Sequence, residues 1–248
     1  MKIAIISDIH GNLPALHAVL DDISRRDVDS LLCLGDVIGK GPNSAEAVDI
    51  CRDRCAIIVA GNWDKYLAST DNTAPSVTYY KAQLGSARLE YLRSLPEFIE
   101  FFLSGKVVRL FHAHPLDVFT RVFFKSEIAE KIGMFAQPEL AGTVSISGQS
   151  DIVGYGDIHW AYKQYITGRL LFNVGSVGNP LDIPLASYVV LEGEYGDKAP
   201  APYATQFYRV PYDIELAVNQ AHGGNPPQKD AFIHELRTAM YSRKRIEP

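Results

Sequence analysis

The first 60 residues alternate unbroken apolar runs with stretches in which apolar side chains return every three to four positions. The runs fall at residues 2–7, 31–34 and 56–59, and the amphipathic stretches at 13–25 and 45–54. An unbroken run of four to six apolar residues predicts a strand covered on both faces, and 3.6-residue periodicity predicts a helix lying on it. The alternation is therefore that of parallel strands joined by helices. Helical periodicity returns at residues 76–95 around Gly85, and residues 98–103 and 106–111 predict a hairpin turned at Ser104-Gly105. Residues 125–135 read as a helix and 142–150 as a polar loop. From Asp151 onward, short runs at 152–154, 162–167, 170–174, 187–192 and 205–210, separated by turns such as Thr167-Gly168 and Gly178-Asn179-Pro180, predict an antiparallel sheet. Residues 194–202 predict an exposed loop. Helices are expected at 213–221 and 228–243, the second ending in Arg243-Lys244-Arg245, where basic side chains suit a helix C-terminus.

Each of the first three runs gives way at once to polar residues: Asp8-Ile9-His10-Gly11-Asn12, Gly35-Asp36 and Gly61-Asn62-Trp63-Asp64. Ligands of open parallel sheets bind outside the carboxyl ends of the strands, so these clusters are expected to meet in one crevice. His112 and His114 follow a fourth run, and Asp157 and His159 a fifth. Carboxylate, amide and imidazole donors bind divalent ions without thiolate help.

Composition narrows the classes. The 248 residues are 47% apolar and 21% charged, which suits one large α/β domain spanning 1–248, with a motif-bearing core at about 1–195 and a C-terminal strand and helices at about 203–245. A net charge of −5 offers no basic face for a nucleic-acid polymer or an anionic membrane. An anionic substrate would then need another attractor, such as a bound metal. No apolar run reaches the ~18 residues of a membrane span, and the N-terminal segment is too short and too acidic for a signal peptide, so a cytoplasmic location is expected. Cys33, Cys51 and Cys55 lack CxxC spacing and read as reduced core thiols.

The ordered set Asp8-Ile9-His10, Gly35-Asp36, Gly61-Asn62-Trp63-Asp64, His112 and Gly156-Asp157-Ile158-His159 resembles the calcineurin-like metallophosphoesterase superfamily. Asn173-Val174-Gly175-Ser176-Val177-Gly178 is similar to the Asn-Pro-Gly-Ser segment of its small bacterial and archaeal members. The resemblance implies an α/β fold, a four-layer α-β-β-α sandwich of two mixed sheets flanked by helices. It implies two divalent metal ions, one held by Asp8, His10 and His159 and one by Asn62, His112 and Asp157, with Asp36 bridging. It also implies hydrolysis of phosphate esters by a hydroxide shared between the ions. Backbone donors around Gly11-Asn12 and Gly61 are expected to help hold phosphate.

This sequence departs from the family pattern twice. Trp63 replaces a histidine that would protonate the leaving oxygen, and indole transfers no such proton. That predicts a preference for good leaving groups, such as nucleotides or phosphoanhydrides. Asp157 replaces a ligand histidine; a third carboxylate favours manganese or iron, with magnesium and zinc open. His114 is a candidate to replace the missing histidine or contact phosphate, with hydrogen-bonded packing as the alternative. Asp64 is a candidate to orient the loop or cap a helix. Tyr66, Tyr79 and Tyr80 are candidate walls of the cleft or packing residues, Lys40 and Arg121 are candidate phosphate partners, and His17, His222 and His234 read as structural. The expected function is a phosphatase or phosphodiesterase acting on small, nucleotide-like phosphorylated substrates. The rivals are a phosphoprotein phosphatase and a non-catalytic metal- or phosphate-binding protein.

Overall fold

In the computed structural model, which describes residues 1–138, 146 and 148–242, the chain opens with β1 (Lys2–Ile6), α1 (Leu13–Ser24), β2 (Ser30–Cys33), α2 (Ser44–Arg54) and β3 (Ile57–Ile58). The three strands are parallel, as the continuous apolar runs predict. Next come α3 (Asn62–Ser69) and α4 (Pro75–Arg93). No apolar run announces α3, and α4 is broken at Gly85, whose φ of 66° and ψ of 173° lie outside the helical region. The predicted hairpin forms as β4 (Phe98–Leu103) and β5 (Lys106–Phe111). Ser104 and Gly105 have φ of 50° and 77°, the two positive values of a turn that matches strand twist. A shorter helix than expected, α5 (Ile128–Gly133), follows a turn in which the Phe123 N–H donates to Ser126 Oγ and the Ser126 N–H to the Phe123 carbonyl. The chain continues through β6 (Ile152–Tyr155), β7 (Ala161–Ile166), β8 (Arg169–Val174), β9 (Ala186–Glu192), β10 (Ala204–Val210), α6 (Ile214–Gly224) and α7 (Lys229–Thr238). Most of the expected loop at 142–150 and the basic run 243–245 lie outside the described residues.

The second half is not the antiparallel sheet that its short runs suggest. Its strands divide between two mixed sheets, in the orders β10-β9-β1-β2-β3 and β4-β5-β6-β8-β7. β7 folds back to the sheet edge, leaving β6 and β8 adjacent and parallel, with β6 also parallel to β5. The signal lay in β6, whose four residues are all buried, as expected of a parallel strand covered on both faces.

The sheets pack face to face. Ile3, Ile5, Leu32, Val189 and Leu191 of one meet Phe101, Val108, Leu110, Leu170 and Phe172 of the other. Helices α1 to α4 cover the outer face of the first sheet through Leu16, Val19, Val48, Leu67 and Leu84. The outer face of the second is covered by a thinner layer that includes Val122, Met134 and Phe135 around α5. This is the expected four-layer sandwich, with an unequal fourth layer. No helix among the described residues is long and apolar enough to cross a membrane.

Candidate metal centre

The polar clusters after β1, β2, β3, β5 and β6 meet at one edge of the sandwich. Their backbone is unusual: Asp8, His10, Asp36, Asp157 and His159 all have φ between 50° and 63°, the left-handed region that side-chain-bearing residues rarely adopt. Each such residue costs about 1 kcal/mol or more and persists where its surroundings over-determine it. Here the Asp8 N–H donates to the Gly35 carbonyl at 2.9 Å, the His10 N–H to the Asp36 carbonyl at 3.0 Å, and the Asp157 N–H to Asp8 Oδ2 at 3.0 Å. Gly61 makes this possible beside Asp36, because a Cβ there would collide with the Asp36 carboxylate and backbone nitrogen.

The histidines are fixed through their rear nitrogens. His10 Nδ1 donates to the Ile38 carbonyl at 2.9 Å, His112 Nδ1 to the Leu34 carbonyl at 2.7 Å and His159 Nδ1 to the Asn179 carbonyl at 2.5 Å. A carbonyl oxygen only accepts, so in the neutral ring each Nε2 presents a lone pair to the crevice. His10 Nε2 and His159 Nε2 face one another at 3.2 Å, with Asp8 Oδ1 3.7 and 3.2 Å from them. Asp36 spans the cluster, with Oδ2 3.7 Å from His10 Nε2 and Oδ1 3.5 Å from His112 Nε2.

Charge is concentrated accordingly. Burial lifts Asp36 well above the usual carboxylate range, opposed by His112 and reinforced by Asp64 and Asp8. Burial alone would lower His112, but Asp36, Asp8 and Asp157 outweigh it and raise it to about 9. Burial would raise Asp8, yet the nearby charges of His159 and His112 outweigh it and hold Asp8 at about 2. Asp8 Oδ1, His112 Nε2 and Asp157 Oδ2 are buried and make no hydrogen bond of good geometry. A buried polar atom left so costs about 1–3 kcal/mol. A divalent cation bound by these atoms would remove that penalty. Donor atoms of Asp8, His10 and His159 lie within 4.8 Å of one another, as do those of Asp8, Asp36 and His112, so the residues fit a metal.

Residues 1–196 match the calcineurin-like phosphoesterase superfamily domain. The chain belongs to that superfamily. An uncharacterised protein of Methanocaldococcus jannaschii is 32% identical over 236 residues, covering 87% of this chain and 89% of that protein. A symmetrical bis(5′-nucleosyl)-tetraphosphatase of Neisseria gonorrhoeae is 25% identical over 219 residues, covering 83% of this chain and 75% of its own. A solved metallophosphoesterase from Sphaerobacter thermophilus superposes with a TM-score of 0.72 at 26% identity, over 97% of this chain and 99% of that one.

In this member of the superfamily the two departures both lie at the cluster. Trp63 stands edge-on to His10, with ring centroids 6.2 Å apart, and lies across Gly39 where a Cβ would strike the indole. The Trp63 backbone N–H donates to Asp36 Oδ1 at 2.8 Å, so the N-terminus of α3 faces that carboxylate. Asn62, half-buried, begins the same helix. Asp157 is buried and faces the cluster, its Oδ1 3.9 Å from His112 Nε2 and 3.2 Å from the Arg121 Nε. Burial raises its pKa, opposed by Arg121 and His112.

The expected backbone phosphate donors are not available. The Gly11 N–H goes to the Val37 carbonyl, the Asn12 N–H to the Ile9 carbonyl and the Gly61 N–H to Asp64 Oδ2, so loop closure consumes all three. Asp64 is buried with both oxygens on backbone, Oδ1 accepting from Val37 and Ile38 and Oδ2 from Gly61; burial lifts it to about 6. It ties the loops after β2 and β3 together. His114 Nδ1 accepts the Leu116 N–H of its own loop at 3.2 Å. Tyr80 packs edge-on against Trp63 and Tyr79 against Tyr80, while the Tyr79 hydroxyl donates to the Gly224 carbonyl and the Tyr66 hydroxyl accepts from Asn72. His17, His222 and His234 are exposed on helices.

The structure gives Lys40 the direction its sequence could not. Its Nζ lies 3.2 Å from His159 Nε2 and 2.9 Å from Asn179 Oδ1. Sequence reading missed Asn179 as a contributor, because Gly178-Asn179-Pro180 reads as a turn. The whole segment underlies the site: Ser176 Oγ donates to the Asp8 carbonyl at 2.7 Å, and Asn173 Nδ2 to the Gly156 carbonyl at 2.5 Å.

Proposed function

We propose that this protein is a metal-dependent phosphoesterase that hydrolyses small phosphorylated, nucleotide-like substrates. In this reading Asp8, His10 and His159 hold one divalent ion, Asn62, His112 and Asp157 hold a second, and Asp36 is shared. The observation that carries it is the crossing of imidazole and carboxylate lone pairs at one sheet edge. Asp36 supports its shared role by turning its two oxygens to different histidines, 3.7 and 3.5 Å away.

When bound, the ions supply positive charge to the phosphoryl oxygens and acidify water near neutral pH. The chain's own residues do the rest. Lys40, held on Asn179, and Arg121, held on Asp157, place two further cations beside the cluster for phosphate oxygens. Asp64 keeps the Asp36 loop from shifting. Trp63 offers no transferable proton, so the leaving oxygen departs unprotonated by that residue and good leaving groups are favoured. Three carboxylates in the cluster favour manganese or iron over zinc. The similarity to a bis(5′-nucleosyl)-tetraphosphatase supports a nucleotide-like substrate, as does the acidic surface, which repels nucleic-acid polymers. We also read the chain as one domain, since β10, beyond the matched residues, pairs along β9 in the first sheet.

The test is hydrolysis of bis(p-nitrophenyl) phosphate with manganese, comparing the wild type with Asp36→Asn. Hydrolysis by the wild type and a loss of roughly 10³-fold in the folded variant is the expected result; that is about 4 kcal/mol of barrier, the scale of removing a shared metal ligand. A folded wild type inert towards phosphomonoesters, phosphodiesters and dinucleoside polyphosphates, with manganese, iron(II) and magnesium alike, would leave a binding protein.

A further inference from the structure

The burial pattern of α5 and the segment before it is inverted. Lys131 of α5 is 4% exposed, while Ile128 and Ile132, one turn apart on the same helix, are 52% and 37% exposed. Leu116, Phe119, Phe123 and Phe124, which precede them, are exposed as well. Six of the sixteen large apolar side chains that are exposed among the described residues thus fall within 116–132, a concentration rather than the ordinary scatter of a monomer surface.

The segment is nonetheless fastened from within. The Lys131 ammonium donates to the Phe124 carbonyl and, at 3.1 Å, to Gln164 Oε1. The Phe124 ring meets Tyr162 edge-on with centroids 5.2 Å apart, and the Tyr155 hydroxyl donates to the carbonyl of the buried Val122 at 2.7 Å. Arg121 Nε lies 3.2 Å from Asp157 Oδ1. Two cations turn towards the body of the protein while the apolar side chains stay outside. The apolar exposure is a built face.

We infer that residues 116–132 form the face on which two copies of this chain pair about a two-fold axis. Area is the first argument. Three half-exposed phenylalanines and three partly exposed aliphatic side chains present roughly 500 Å² of apolar surface. Interfaces are about 60% apolar, so this corresponds to about 800 Å² on each partner, which is what a stable dimer buries. Charge then selects the occupant. Asp117, Glu127 and Glu130 are balanced by Arg121, Lys125 and Lys131, so the face is neutral on a chain of net charge −5. A second copy, repelled by the acidic surface as a whole, meets no such opposition here. A lipid surface calls for a basic excess, and a strongly charged protein partner for an excess of the opposite sign. A face that pairs with itself closes at two copies.

Sedimentation velocity of the full chain at micromolar concentration tests the pairing. The expected result is a dimer whose dissociation constant rises at least about 30-fold in Ile128→Glu, the loss expected when one apolar anchor at an interface is replaced. Ile128 is exposed in the single chain, so the variant should keep its fold, which circular dichroism checks. A second measurement uses Phe123→p-benzoylphenylalanine in a mixture of normal and heavy-nitrogen chains, irradiated and mapped by mass spectrometry. It should link a light chain to a heavy one within residues 116–132. A wild type that stays monomeric overturns the pairing, and one that sediments with phosphatidylcholine vesicles instead assigns the face to lipid. A dimer that Ile128→Glu leaves unchanged, a link confined to one chain, or a link to another part of the second copy overturns it too. None of these readouts uses hydrolysis, so they stand apart from the proposed activity.

Discussion

Around Asp8, His10 and His159 every side chain is closed to solvent, both imidazoles are anchored on carbonyls, and Asp8 spends Oδ2 on the Asp157 N–H. Around His112, Asn62 and Asp157 the arrangement is looser: Asn62 is half-exposed and Asp157 is shared with a partly exposed Arg121. Of the two departures from the family pattern, Asp157 lies on this second side, whereas Trp63 follows Asn62 and turns its ring edge-on to His10 of the first. The one altered ligand position, Asp157, falls on the side whose donors are less enclosed, while Asp8, His10 and His159 on the other keep the family's residue types. Rigid placement is what gives a metal ligand its worth, since a donor that must be ordered on binding loses part of the energy it supplies.

Asp36 touches both sides, so its loss is the largest effect expected. Asp36→Asn should reduce hydrolysis by about 10³-fold and weaken both ions, whereas Asn62→Ala, removing one half-exposed donor whose Oδ1 accepts the Trp63 N–H, should weaken one ion by about 10–100-fold. Isothermal titration with manganese, beside rates on an aryl phosphodiester, separates the two outcomes. Equal damage from both variants would erase the distinction between the sides.

Next comes pH. His112 is raised to about 9 by Asp36, Asp8 and Asp157, against burial and in the presence of Arg121, whereas burial and Lys40 lower His159. Below about 9 an ion entering the second side must displace a proton from His112, so its affinity should climb about tenfold per pH unit from 6 to 8. The first side has Asp8 held at about 2 and His159 lowered, so only the shared Asp36, raised by burial, has a proton to yield there, and the rise in affinity should be shallower. Manganese titrations across that range, with proton release measured in two buffers, check the contrast.

A smaller effect is expected of Arg121→Met. The guanidinium neutralises Asp157 and competes with any cation there. Its removal should tighten the second ion several-fold and raise KM about tenfold through loss of a phosphate partner, leaving the first ion unchanged. A KM that does not move would remove Arg121 from substrate binding.

The same asymmetry governs what the sequence disclosed. The β1, β2 and β6 ends were legible because strand-period apolar runs stop abruptly at Asp8, Asp36 and Asp157, and a strand end is a local event. The two-sheet architecture came from family resemblance; the local pattern alone suggested an antiparallel second half, because the partner of β6 is chosen by the return of β7 to the sheet edge. Lys40 and Asn179 were illegible as parts of the site for a related reason: each joins it only through a neighbour far along the chain, Lys40 Nζ donating to Asn179 Oδ1. Gly11, Asn12 and Gly61 misled in the opposite sense. Their backbone donors look available in sequence and are spent on loop carbonyls and Asp64 in the fold.

The smallest change tests the most specific inference. Trp63 packs on Gly39, His10 and Tyr80, and Trp63→His would bring a titratable imidazole to the same edge at the expense of some packing. If the indole's lack of a proton sets the preference for good leaving groups, the variant should gain about 10–100-fold on an alkyl phosphate relative to an aryl phosphate, the range that general acid catalysis supplies at its lower end. The comparison is of ratios, so a uniform loss from looser packing cancels. The gain should also fade as pH rises through the histidine range, since only the imidazolium donates. Rates on both esters from pH 5.5 to 8.5 decide it: a constant ratio across wild type and variant would mean that residue 63 shapes the wall of the crevice and takes no part in leaving-group departure.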